Sequence, residues 1–298
     1  MATPATFQKR RDLMLFIQRV LAPEPAVQAV IGIGSIASGL ARPDSDIDAI
    51  VFLDPVDPYI APAEFYWRPS DGTFHSIFAV ADAHAVVQFD LHRCDLTRWS
   101  DPSFEWPEER RAELQDGWLA FDRFGRVAEL IASRTAYTDA ARTARLDEAI
   151  TWLDQHLSGD GPDVRWHILG PLIAHDRLHA AYGYLVQGLF AYNRRWRVWR
   201  NREMDTLLKL PWLPDDFANR LWDASCAHTP HHGDFVRRVD SLRGLFDDLA
   251  ARLVADGHYG EDYVSEAFIR QNEEPGRAWN MEEWNRRHAE RMRGAGAN

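Results

Sequence analysis

The sequence predicts an α/β fold followed by an all-α one, with the change near residue 135. Three observations carry this. Strand-like apolar runs crowd the first 121 of 298 residues. Helical periodicity then takes over and continues to the C-terminal end. The length itself suits two domains at roughly 100–200 residues each. The expected division is 1–135 for the α/β domain and 136–298 for the helical one.

The elements follow in order. Residues 7–22 read as an amphipathic helix stopped by Pro23 and Pro25. Ala26 to Ile33 is a strand-like run ending at Gly34-Ser35. Ile36 to Leu40 fits one short helical turn, closed by Gly39 and Pro43. Asp46 to Leu53 reads as a second strand, stopped by Asp54-Pro55. Thr73 to Val80, Ala85 to His92 and Trp118 to Phe121 are further strand candidates. Gly125 to Arg134 reads as a closing helix. Beyond it, helices are expected over 138–157, 164–192, 203–210, 215–227, 234–255 and 280–293. Gly159 to Pro162 breaks the first two apart. The last few residues are expected to be frayed.

Composition narrows the function. The chain is 46% hydrophobic and 27% charged, so it can build a sizeable core. No apolar run approaches the roughly 18 residues of a membrane span. The N-terminal residues lack a signal-type apolar stretch, so a cytoplasmic protein is expected. Cys94 and Cys226 are too few for a disulfide scaffold and carry no zinc spacing. A net charge of −11 argues against broad nucleic-acid binding and suits a cationic ligand.

The chemistry concentrates in Ile31 to Leu53, IGIGSIASGLARPDSDIDAIVFL. On a strand, residues two apart face the same way, so Asp46 and Asp48 would project together. Side-by-side carboxylates repel, and a divalent cation relieves the repulsion. Mg²⁺ characteristically takes one or two carboxylates together with phosphate oxygens. Gly34 allows close approach of a ligand to the backbone. Ser35 begins a helical turn, where free N–H groups favour phosphate. Asp90, on the strand AVVQFDLH, adds a third carboxylate if that strand lies beside the second. Three converging carboxylates suit phosphoryl or nucleotidyl transfer.

Gly34-Ser35, a ten-residue gap, Asp46-Ile47-Asp48 and the later Asp90 resemble the polymerase-β-type nucleotidyltransferase superfamily. GSIASGLARPDSDIDAIV is most similar to the opening of aminoglycoside adenylyltransferases of the streptomycin/spectinomycin type. The resemblance covers residues 31–92 well and the helical half in outline. It implies a small mixed-sheet nucleotidyltransferase domain, then a helical substrate-binding domain, with the active site between them. It implies ATP as co-substrate and Mg²⁺ as cofactor. Asp46, Asp48 and Asp90 would be metal ligands, with Asp90 metal ligand or general base, and Gly34 and Ser35 would hold the triphosphate. The acceptor would be a small molecule such as an aminoglycoside, which makes antibiotic resistance the expected role. Adenylylation of a protein or RNA, and a catalytically silent nucleotide-binding module, are the alternatives. Many relatives carry a basic residue where this chain has Ser38; Arg42 stands nearby.

Other features are weaker. Gly32 to Ala37 also fits the dinucleotide fingerprint G-x-G-x-x-A, but Gly39 and Pro43 leave no room for a crossover helix before Asp46. The cluster Arg194, Arg195, Arg197, Arg200 and Arg202, with Trp196 and Trp199 interleaved, reads as a solvated helix end, as a nucleic-acid stacking surface, or as a grip on triphosphate with Arg202 and its rival Lys209 as candidates. Asp176 is the candidate for a cationic acceptor. His175 and His179, four residues apart, lack the third ligand a zinc helix needs.

Overall fold

A computed structural model describes residues 2–78, 86–272 and 281–295. Two compact units are present. The first comprises residues 1–136 together with 196–200, and the second 137–195 together with 201–298. Among the described residues no helix is long and apolar enough to cross a membrane.

The first unit is built on a mixed sheet. Among the described residues it has six strands: β1 (Val27–Gly32), β2 (Ile47–Leu53), β3 (Glu64–Trp67), β4 (Phe74–His75), β5 (Val87–Asp95) and β6 (Trp118–Asp122). Their order is β4-β3-β5-β2-β1-β6. β2 and β5 run parallel; β1 is antiparallel to β2 and β6, and β3 to β4 and β5. An antiparallel β1–β2 pair rules out the dinucleotide crossover, which requires parallel strands.

Both sheet faces are covered, so the central strands are apolar on both sides. One face packs on α1 (Pro4–Phe16), which continues as a π-helical turn, Ile17–Leu21. Leu13, Phe16, Ile17 and Leu21 meet Val30, Val51, Phe65 and Phe89 there. The other face holds Ile31, Ile50, Phe52 and Cys94. It is covered by α3 (Leu96–Ser100), α4 (Glu108–Gln115) and α5 (Arg126–Thr135), through Leu96, Trp99, Leu114 and Val127. Burial pushes the Cys94 thiol up to about 12, so it is a packing group rather than a nucleophile. The remaining helix, α2 (Gly34–Ser38), joins β1 to β2.

α1 starts three residues earlier than expected. Thr3 caps it by accepting from the Thr6 N–H at 3.1 Å, and Pro4 follows in the first turn. The expected strand 73–80 is reduced to β4; positions 79–80, and Ala85 of the next strand, lie outside the described residues. β3, α3 and α4 were not expected.

The second unit is helical: α6 (Asp139–Leu157), α7 (Gly161–Val164), a π-helical turn Arg165–Leu169, α8 (Pro171–Tyr192), α9 (Arg200–Leu207, which begins in the first unit), α10 (Phe217–Ser225), α11 (His232–Ala255), α12 (Tyr263–Asn272) and α13 (Met281–Ala295). The single helix expected over 164–192 breaks at Gly170, whose φ of +95° admits no other residue comfortably, and Pro171 restarts it. α6, α8 and α11 meet at Gly188. A Cβ there would stand 3.0 Å from Leu249 and 3.4 Å from Ala149. α12 was not expected. The last three residues, expected to be frayed, lie outside the described set.

Candidate functional site

The site residues of the first unit gather at one end of the β1–β2–β5 sheet. The β2–β5 register places Asp48 opposite Asp90. Strands are about 4.8 Å apart, so two carboxylates on one sheet face become neighbours. Asp48 and Asp90 lie on the face that also carries Ile50 and Cys94, by the alternation of each strand. Asp46 differs from expectation. It precedes β2 by one residue and lies outside the ladder, so the strand begins at Ile47.

Gly34 closes on this pair from the β1 side. The Ile33 N–H donates to the Asp48 carbonyl at 3.0 Å. The chain then turns through Gly34, at φ +63°. A Cβ on Gly34 would collide with Oδ2 of Asp48 and lie 3.2 Å from its Cγ. Glycine is therefore required twice, for the dihedral and for the approach. Ser35 lies in the first turn of α2, and its Oγ is buried with no hydrogen-bond partner among the described residues. A buried hydroxyl without a partner costs free energy that a ligand oxygen would recover.

Among the described residues, no three His, Cys, Asp or Glu side chains are gathered closely enough to hold a metal. The structure thus brings Asp48 and Asp90 together but does not close the expected three-carboxylate cluster. The donor set still suits a hard cation, which takes carboxylate and phosphate oxygens. The backbone beside Gly34 and the unpartnered Ser35 hydroxyl suit a phosphate.

Two residues of this region were not among the expected site residues. Glu64, on β3, stands opposite Asp90 on the side away from β2. Its side chain is exposed and, among the described residues, forms no ion pair or hydrogen bond. Its signal was the aromatic strand Glu64-Phe65-Tyr66-Trp67, whose burial alternates. His92 is two residues beyond Asp90 on the same face. Desolvation lowers its pKa, reinforced by the Arg110 charge and opposed by Asp90, so the imidazole is neutral near pH 7.

The remaining candidates stand in the second unit. Asp176 is on α8, exposed, with Arg177 3.9 Å away. Arg202 is exposed on α9. Lys209 follows α9 and pairs with Asp205 at 2.7 Å. The arginine cluster is divided. Arg194 pairs with Asp139 in the second unit, whereas Trp196 to Arg200 belongs to the first. There Trp196 is buried under Arg111, and its Nε1 donates to the Thr135 carbonyl at 2.7 Å. The Arg197 N–H donates to Glu108 at 3.0 Å. Arg42 pairs with Asp44 at the surface, 3.2 Å away.

No curated protein sequence matches the chain. Among solved structures, a nucleotidyltransferase-like protein from Exiguobacterium sibiricum 255-15 superposes with a TM-score of 0.45 at 12% identity, covering 93% of this chain and 83% of that one. Residues 13–101, the segment that holds Gly34, Ser35, Asp46, Asp48 and Asp90, match the nucleotidyltransferase domain family.

Proposed function

We propose that this protein is an adenylyltransferase that moves AMP from MgATP to a hydroxyl of a cationic small molecule of the aminoglycoside kind. The observation that carries the reading is the pairing of Asp48 with Asp90 beneath the Gly34 turn, within the segment that matches the nucleotidyltransferase domain.

In this reading the acceptor oxygen attacks the α-phosphorus of ATP. The new O–P bond replaces the bond to the β-phosphate oxygen, and pyrophosphate leaves. Asp90 would complete the cation site or take the hydroxyl proton. Asp46 and Asp48 would hold Mg²⁺, which supplies charge neutralisation for the triphosphate and the leaving group. The Gly34 backbone and Ser35 Oγ would hold phosphate oxygens. Arg202 or Lys209 would contact the triphosphate, and Asp176 an amino group of the acceptor. A cytoplasmic location follows from the need for ATP.

The test is pyrophosphate release from MgATP with a panel of aminoglycosides and lincosamides, using Asp46→Asn as the blank. Release with one compound, absent in the variant, supports the reaction and names the acceptor class. Transfer of label from ATP to a protein or RNA, with none to any small molecule, would replace the acceptor assignment. Binding of MgATP without release under any condition would replace the enzyme with a nucleotide-binding module.

A further inference from the structure

We infer that Arg10 is a positioning residue for the Gly34–Ser35 turn, acting from the side opposite the carboxylates. The inference rests on the reading of that turn as the triphosphate-holding element.

α2 has only five residues, so little of it is stabilised by its own hydrogen bonds. Its carbonyls need donors from elsewhere. The Ser35 carbonyl receives the Gly39 and Leu40 N–H groups. The next two carbonyls both go to one side chain. Arg10 Nε donates to Ile36 O at 2.9 Å, and Arg10 Nη2 to Ala37 O at 3.1 Å. The rest of the turn is also held by α1 and its cap. The Thr3 N–H donates to Gly39 O at 2.9 Å, Thr3 Oγ1 to Ala41 O at 2.6 Å, and the Ala41 N–H to Thr6 Oγ1 at 3.1 Å.

Arginine suits this task because its planar fork places two donors at a fixed spacing. Its guanidinium also lies over Trp118, 5.0 Å from the ring centre, which limits its rotation. Meanwhile Ile36 is fully buried in the core, so the turn stays folded without Arg10. What Arg10 adds is a fixed orientation for the two residues before Ile36. Those are Ser35, with its unpartnered hydroxyl, and Gly34, seated against Asp48. A ligand that meets a preset turn does not have to order it on binding.

The experiment compares wild type, Arg10→Met, Arg10→Lys and Arg11→Met. Methionine keeps apolar contact over Trp118 and removes both donors; lysine can reach one carbonyl. Among the described residues, the Arg11 side chain hydrogen-bonds only to Gln8 on its own helix, at 2.6 Å, and it serves as control. Two quantities are read: backbone hydrogen exchange over residues 34–41 and MgATP affinity by calorimetry. Arg10→Met should speed exchange in that segment alone and weaken MgATP by about tenfold, the equivalent of one to two net hydrogen bonds. Arg10→Lys should fall between, and Arg11→Met should match wild type. Unchanged exchange or affinity in Arg10→Met overturns the inference. So does a general rise in exchange across the first unit, which would make Arg10 a folding residue. Wild-type protein with no MgATP affinity would instead overturn the nucleotide reading, and this inference with it.

Discussion

Asp48 and Asp90 face one another across the parallel β2–β5 pair. Like charges directly opposed on neighbouring strands are destabilising by up to about 1 kcal/mol. In the proposed function a bound cation offsets this repulsion. Asp90→Asn should therefore raise the metal-free melting temperature by about 1–3 °C, while pyrophosphate release falls by roughly 10²–10⁴-fold. Mg²⁺ should raise the melting temperature of the wild type more than that of the variant. An equal Mg²⁺ response in both would count against Asp90 as part of the cation site.

Gly34 tests the geometry from the other side. Alanine at a left-handed φ costs about 1–2 kcal/mol, and here its Cβ would also collide with Asp48 Oδ2. Gly34→Ala should thus lower stability by more than the dihedral alone and displace the carboxylate. The expected outcome in a thermal melt and a pyrophosphate assay is a modest loss of stability with a severe loss of turnover. Activity near wild type would show that Asp48 tolerates the shift and that the close approach has no functional part.

The turn and Asp48 were legible in the sequence because they are local. Gly34, Ser35 and Asp48 lie within fifteen residues, and strand periodicity plus Gly and Pro punctuation places them. Asp90 needed one further step, the adjacency of its strand to β2. Glu64 was missed because the aromatic alternation of β3 spans only four residues, too short to stand out, and the strand depends on pairing with β4 and β5. α4 was missed for a related reason. Its sequence, EERRAELQ, is dominated by charge, and only Ala112 and Leu114 are buried. Arg10 was invisible because its partners, Ile36 and Ala37, are twenty-six and twenty-seven residues away and offer backbone carbonyls, which leave no mark in sequence.

α12 escaped notice in the same way, since its anchor is a long-range ion pair. Arg270 donates from Nε and Nη2 to the two oxygens of Asp147, at 2.9 and 2.8 Å, and the Tyr259 hydroxyl donates to the same carboxylate at 2.7 Å. Asp147 is buried on α6. Removing one partner of a buried pair costs about 3–5 kcal/mol, and somewhat less where the partner is part-exposed. Arg270→Met should therefore destabilise the second unit more than Asp147→Asn does, because it strands a buried charge. Urea melts of both variants check the order. Equal or reversed losses would show that the pair is solvated enough to contribute little.

His156 sets an acid limit on the same unit. It is buried on α6 against Trp152 and Tyr184, and its Nδ1 has no hydrogen-bond partner among the described residues. Desolvation, reinforced by Arg165 and Arg177, lowers its pKa to about 4. The unfolded chain takes up a proton near pH 6.5, whereas the folded protein refuses it until about pH 4. The unfolded state thus binds more protons within that window, so stability falls as pH falls through it. The loss is on the order of 2–3 kcal/mol at the lower end. His156→Phe keeps an aromatic ring in the stack and removes the titration. Between pH 7 and 4.5 its unfolding free energy should decline less than that of the wild type, by about that amount. Parallel declines would show that His156 takes its proton in the folded state as readily as in the unfolded chain.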